Sequence, residues 1–373
     1  MKIAVIAHIR HPIAEPFKGG METHTKLLCD GLRRAGHRVT LFASSGSQDE
    51  NLHAICGPYD AVLPWEQYRG TVELADYQAE AFEIAKQAIL REDFDVVHNN
   101  SLFAELIGWC ADMGIPCVTS QHVPPFQRMA EAVASVRDAP GSIVTVPSRS
   151  QAEFWAASGC GNLHIVPNGV DTARWHPGET VGDYFSWCGR ITANKGLSRA
   201  VRAASLGGFA LRIYGPIEDE AYFTDEIVPF LTDAIQYRGH FDAARLREEL
   251  AAARGALVTP MWDEPFGLVA AEALSCGVPV AAFDRGAIRE VVGECGILVA
   301  PGDYEALAKA MANLPSIDRT ECRKRAVEHL SVDAMICAYE ECYQTAISGS
   351  AAASADAARR SRYSRTEALL ANG

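Results

Sequence analysis

Short apolar runs rich in β-branched residues alternate with longer amphipathic stretches along nearly the whole chain. A pattern that keeps switching between the two periods restricts a chain to βαβ units, and hence to parallel sheets covered by helices. In the first half the candidate strands are 2–7, 38–43, 95–98, 116–121 and 143–147. A second series follows at 183–188, 209–214, 255–260, 278–283 and 296–300. Between the series lie Pro167-Asn168-Gly169-Val170-Asp171 and Trp175-His176-Pro177-Gly178, turn formers with little periodicity. At 373 residues the chain exceeds the size at which one hydrophobic core stops growing. The reading is therefore two α/β domains, 1–168 and 169–330. A helix at 331–347 follows, expected to cross back to the first domain, and then an Ala/Ser-rich tail at 348–373 that is disordered or a loosely attached helix.

Charge and cysteine usage exclude several function classes. The net charge of −13 repels a phosphate backbone, and no long Lys/Arg run offsets it, so no nucleic-acid partner is expected. The 11 cysteines are scattered without a C-x-x-C pair or a zinc-spaced histidine cluster, as in a protein of reduced thiols. Lys2-Ile3-Ala4-Val5-Ile6-Ala7 already reads as a strand, leaving no room for a signal segment, and no stretch reaches the apolar length of a membrane span. A cytoplasmic protein without membrane insertion is expected; the oligomeric state is not legible.

In open parallel sheets ligands sit beyond the carboxyl ends of the strands, so the loops after strands carry the candidates. The first holds Gly19-Gly20 ahead of a helix running to Gly36. Glycines there would let backbone approach a phosphate at a helix N-terminus, although a flexible loop entering a helix reads the same way. After strand 183–188 comes Gly189-Arg190-Ile191-Thr192-Ala193-Asn194-Lys195-Gly196. A fork and a point charge bracketed by glycines would neutralise a diphosphate with fixed cations. The loop after 255–260 continues Glu264-Pro265-Phe266-Gly267-Leu268-Val269-Ala270-Ala271-Glu272. Glu264 precedes the helix and Glu272 lies two turns into it, about 12 Å further along at helical rise. Two carboxylates so spaced suit two polyol groups of a nucleotide sugar, with the N–H groups of Phe266, Gly267 and Leu268 facing its oxygens. Glu272 stands among Ala271, Ala273 and Leu274, where a carboxylate needs a partner.

Taken together, Gly19-Gly20, Pro167 to Asp171, the Gly189 to Gly196 segment and the E-x7-E pair within E-P-F-G-L-V-A-A-E-A-L-S-C-G-V-P-V resemble the retaining GT-B glycosyltransferases of family four, over residues 1 to about 345. The resemblance implies two Rossmann-like parallel-sheet domains facing a central cleft and transfer of a hexose from a UDP-sugar, UDP-glucose or a close relative, to an acceptor hydroxyl. It implies that Arg190 and Lys195 hold the diphosphate, that Gly20 approaches it, that Glu272 binds the ribose and Glu264 the sugar. His122, closing the strand 116–121, matches the family's histidine near the transferred sugar. Gly215 and the loop of Arg238, Gly239 and His240 fall in the donor-binding set, the base lying against that loop. Arg10, His11 and His98 are the acceptor-side candidates.

Asp93-Phe94-Asp95 matches the D-x-D that metal-dependent transferases of another fold use. It precedes strand 95–98, at the amino end of the sheet, so no metal and no cofactor are expected. Two rivals share the architecture: a nucleotide-sugar epimerase, and a non-catalytic regulatory protein that binds sugar nucleotides.

Overall fold

The structure is a computed structural model that describes residues 1–161 and 163–371, with side chains up to Ala353. It divides into two compact units. The first comprises Met1–Val146, Ala152–Val166 and the chain from Ile336 onward; the second comprises Pro147–Gln151 and Pro167–Met335. The main division thus falls at Val166/Pro167 and Met335/Ile336, where the sequence reading places it at 168/169 and 330/331.

Among the described residues the first unit holds seven parallel strands: β1 (Lys2–Ala7), β2 (Arg38–Ser44), β3 (Leu52–Cys56), β4 (Val96–Asn100), β5 (Cys117–Ser120), β6 (Ser142–Val146) and β7 (Leu163–Ile165). Their order is β3-β2-β1-β4-β5-β6-β7. β1 is buried at every position after Lys2, as a central strand covered by helices on both faces must be, which explains its unbroken apolar run. The covering helix Gly20–Arg34 carries Glu22 in its first turn and Arg33 and Arg34 in its last, matching its dipole. Phe42 and Phe82 are fully buried in the core on one face, each worth roughly 2 kcal/mol of apolar burial.

The second unit holds six parallel strands among the described residues, β8 (Phe185–Cys188), β9 (Leu211–Tyr214), β10 (Ile235–Gly239), β11 (Gly255–Val258), β12 (Val280–Phe283) and β13 (Gly296–Val299). The order is β10-β9-β8-β11-β12-β13. Both sheets therefore reverse direction beside their first strand, between β1 and β4 and between β8 and β11. Ligands of open α/β sheets bind at such switch points.

Three strands, β3, β7 and β10, were absent from the sequence reading. All are edge strands with polar, partly exposed residues, such as His53, His164 and Gln236, so the apolar signal is weak. The last helix runs from Val332 to Ala371, past the boundary at 347, which is the helical alternative of the sequence reading. Its Ala- and Arg-rich sequence is a good helix former. No helix among the described residues is long and apolar enough to cross a membrane.

Candidate active site

Glycines converge at the carboxyl ends of β8, β9 and β10. Gly189 N–H donates to the Tyr214 carbonyl at 3.0 Å, and Gly215 N–H to the Gly239 carbonyl at 3.0 Å. A Cβ on Gly215, whose φ is +136°, would lie 1.8 Å from the Gly189 carbonyl oxygen, so only glycine permits this backbone contact. Arg238 and His240 beside them are exposed. Phe241 follows, its ring 5.4 Å from that of Tyr214. The structure thus brings the sequence-selected glycines of three loops to one edge of the sheet.

The loop after β8 makes a single tight turn, Ala193–Lys195, and enters a helix, Leu197–Gly207, through Gly196 at φ +68°. It is held down by Thr259, whose hydroxyl lies 3.1 Å from the carbonyl oxygens of both Lys195 and Gly196 and accepts from the buried Trp187 indole at 3.0 Å. A side chain on Gly196 would meet the Thr259 carbonyl oxygen at 2.0 Å. With its backbone pinned, Lys195 reaches across to the loop after β11, where Nζ sits 2.7 Å from Glu264 Oε2. The Trp262 indole donates to the same oxygen at 2.9 Å, and Lys195 Nζ lies 5.1 Å from the Trp262 ring centroid. Glu264 is fixed from behind as well: its carbonyl accepts from Ala287 N–H at 2.9 Å. Arg190 is paired differently, donating to Glu218 at 3.0 Å with both side chains about half exposed. An ion pair so wet contributes only about 0–1 kcal/mol and yields readily to a stronger anion.

Gly267, at φ +96°, caps the helix Leu268–Ser275, and Phe266 is buried beneath it. The N–H groups of Ala270 and Ala271 bond the Gly267 carbonyl, and those of Leu268 and Val269 ahead of them stand at the helix start, where an anion or sugar oxygen would be met. Glu272 lies on the same helix. Burial pushes its carboxyl up to about 8, with Arg174 pulling the other way. It takes no hydrogen bond from a described residue, so it is a desolvated carboxyl with open acceptor capacity.

In the first unit Gly19 and Gly20 are exposed at the start of the helix Gly20–Arg34. Within the first turn or so stand residues that the sequence reading did not select. Glu22 is buried and its Oε1 lies 3.3 Å from His8 Nε2; burial raises its carboxyl, but the hydrogen bond and charge of His8 outweigh this and leave it below the usual range. His24 is buried, its ring centroid 4.1 Å from that of His122. Arg10 is engaged by Asp60 at 3.2 Å, and His11 is held below its ordinary value chiefly by burial.

The structure overturns the reading of His98 as an acceptor-side residue. β4 does not end there but continues through Asn100, and His98 is fully buried. Nδ1 bonds the Tyr343 hydroxyl at 2.6 Å and Nε2 the Ser120 hydroxyl at 2.9 Å. Desolvation, with the nearby His122 adding to it, lowers its pKa to about 3. It is a core residue with no face for a substrate. Asp95 accepts from Lys2 N–H at 2.6 Å, at the amino end of the sheet, which accounts for the D-x-D structurally.

Two doubly wound parallel sheets, one bearing cationic loops, two glutamates and a glycine-lined edge, define an α/β protein of two Rossmann-like domains. Comparison with known proteins gives the family. Residues 18–174 match the family model Glycosyltransferase Family 4, and residues 182–316 match Glycosyl transferases group 1. The chain belongs to these GT-B glycosyltransferases and is a glycosyltransferase enzyme. It is 28% identical over 308 residues to the MMP alpha-(1->4)-mannosyltransferase of Mycolicibacterium hassiacum, covering 70% of this chain and 73% of that one. Its fold is similar to that of AviGT4, a glycosyltransferase involved in avilamycin A biosynthesis, with 23% identity, a TM-score of 0.70 and coverage of 93% and 98% of the two chains. It is also similar to that of Anabaena Alr3699/HepE, solved in complex with UDP-glucose, with 17% identity, a TM-score of 0.66 and coverage of 91% and 98%.

Proposed function

We propose that the protein transfers a hexose from a UDP-sugar, UDP-glucose in the first instance, to an acceptor hydroxyl with retention of anomeric configuration and without a metal ion. The observation that carries this reading is the meeting of Lys195 and Glu264 at the sheet's switch point, with Glu272 open on the helix that follows. A diphosphate bound there displaces the weak Glu218 partner of Arg190 and draws Lys195 from Glu264. The ribose diol donates to Glu272, while Glu264 accepts from a sugar hydroxyl. Gly20 and His122 take the roles that the family resemblance assigns, beside the diphosphate and the transferred sugar. The fold neighbour solved with UDP-glucose supports the choice of donor; the mannosyltransferase relative makes GDP-mannose the first competitor to exclude.

In this reading the acceptor oxygen bonds to the anomeric carbon as the bond from that carbon to the β-phosphate oxygen breaks. The bonding pair stays on the departing diphosphate, which takes the acceptor's proton. Arg190 and Lys195 stabilise the charge that grows there, an interaction worth more in the transition state than in the bound donor. Fixed cations thus do the work that a divalent ion does in D-x-D enzymes.

Screening UDP-glucose, UDP-N-acetylglucosamine and GDP-mannose against an acceptor library, with and without EDTA, tests the proposal. Turnover with UDP-glucose that survives EDTA is expected. In steady state Glu272→Ala raises the donor KM, whereas His122→Ala and Glu264→Ala depress kcat and leave UDP affinity nearly intact. Strict dependence on manganese, or GDP-mannose as the one productive donor, refutes it.

A further inference from the structure

Trp262 lies in no motif that carries the family resemblance, yet it touches both charged groups of the proposed site. We infer that Trp262 is a positioning residue that fixes the Glu264 carboxylate toward the donor sugar and lets Lys195 leave it for the diphosphate. The inference rests on the reading of Glu264 as the sugar-contacting residue.

The geometry of one oxygen carries the argument. Glu264 Oε2 accepts from both Lys195 Nζ at 2.7 Å and Trp262 Nε1 at 2.9 Å, whereas no described residue donates to Oε1. The carboxylate is therefore turned so that one oxygen is spent on the protein and the other is left for a ligand. Both partners of Oε2 are not equally fixed. Lys195 reaches it through a flexible four-carbon stem and is, with Arg190, one of the two cations of this loop read as holding the diphosphate. Trp262 holds only two side-chain torsions and sits two residues from Glu264 on the same loop, so its N–H does not follow the lysine. When the diphosphate draws Lys195 away, an unaided carboxylate would rotate or follow the charge. The indole N–H keeps Oε2 occupied and Oε1 aimed. The ring face, 5.1 Å from Nζ, meanwhile offers the ammonium a favourable surface along which to shift.

Deleting the N–H while keeping the ring isolates this role. In Trp262→Phe the lysine keeps an aromatic neighbour and Glu264 loses its fixed donor. Calorimetry with UDP, UDP-glucose and UDP-galactose reads the result without an acceptor. UDP affinity should stay within about twofold, because the diphosphate cations are intact. The preference for one of the two epimeric sugars over the other should shrink on the order of tenfold, the scale of one hydrogen bond to a charged group. Trp262→His, which restores a ring N–H, should recover part of that preference. Thermal melts of each variant exclude a general loss of fold. Glu264→Gln separates the two layers of the argument. If it leaves the sugar preference intact, the reading of Glu264 is wrong and the inference falls with it. If Glu264→Gln erases the preference but Trp262→Phe keeps it, or lowers UDP affinity as much as sugar preference, then Glu264 stands and the positioning role of Trp262 is refuted.

Discussion

Glu272 places a carboxyl where ionisation is costly, and that cost is measurable without substrate. The group titrates near 4.5 when solvated and near 8 in the folded chain, with burial as the main cause. Between these values the folded state holds a proton that the unfolded state releases. The unfolded chain thus binds fewer protons, and stability falls as pH rises through the window. At ~1.36 kcal/mol per pH unit the whole span amounts to about 5 kcal/mol, an upper bound that structural relaxation and solvent access reduce to roughly 2–3 kcal/mol. Glutamine keeps the shape and removes the titration. Glu272→Gln should therefore match the wild type at pH 4.5 and become more stable than it at pH 9, by roughly 5–10 °C in the melting temperature of its unit. The same substitution should weaken UDP binding at pH 9, where the carboxyl is ionised and the neutral amide is the poorer acceptor for a diol. Thermal melts of both proteins at pH 4.5, 7 and 9, beside UDP calorimetry, measure both effects. A difference that does not change with pH would show that the carboxyl is not held protonated, and that the argument from its burial is wrong.

The other expectations concern the supports of the two units. Gly196→Ala forces a left-handed residue and a Cβ into the Thr259 carbonyl, so it should cost at least roughly 1–3 kcal/mol in denaturant unfolding and lower UDP affinity by displacing Lys195. In the first unit His98 stays neutral down to about 3, against an ordinary 6.5, so the unfolded chain takes up more protons between these values. Stability contributed there is full above pH 6.5 and is lost as pH falls toward 3, and His98→Leu should flatten that acid loss while depriving the Tyr343 hydroxyl of its partner, at about 1–3 kcal/mol near pH 7; Ser120 keeps its bonds to Tyr339 and Thr145. An unchanged acid profile in His98→Leu would assign the lability to other groups.

What the sequence revealed and what it concealed divide along a physical line. Central strands such as β1 and β8 are apolar because helices cover both faces, and their periodicity is readable. β3, β7 and β10 satisfy their backbone at an edge while keeping polar side chains, so the apolar signal fails where the hydrogen-bonded ladder does not. His98 shows the same gap from the other side. Asn99 and Asn100 look like the end of a strand, but the structure buries them by pairing Asn99 with Ser101 and Asn100 with Thr25, and β4 runs on past the point where hydrophobicity stops.

The donor loops were legible one by one, yet their meeting was not. Lys195 and Glu264 are 69 residues apart, and no local pattern in either segment points to the other. What joins them is strand order. β8 is the first strand of its sheet in sequence and β11 the fourth, and the reversal of direction beside β8 makes them neighbours, with Gly255 paired to Phe185 and Leu257 to Trp187. Loops leaving the carboxyl ends of adjacent parallel strands open side by side, so the cation after β8 must come near the carboxylate after β11. The doubly wound order thus carries information that the motifs lack. The order 3-2-1-4-5-6 by itself entails the Lys195–Glu264 contact, and it brings Trp262, two residues before Glu264 in the same loop, against both.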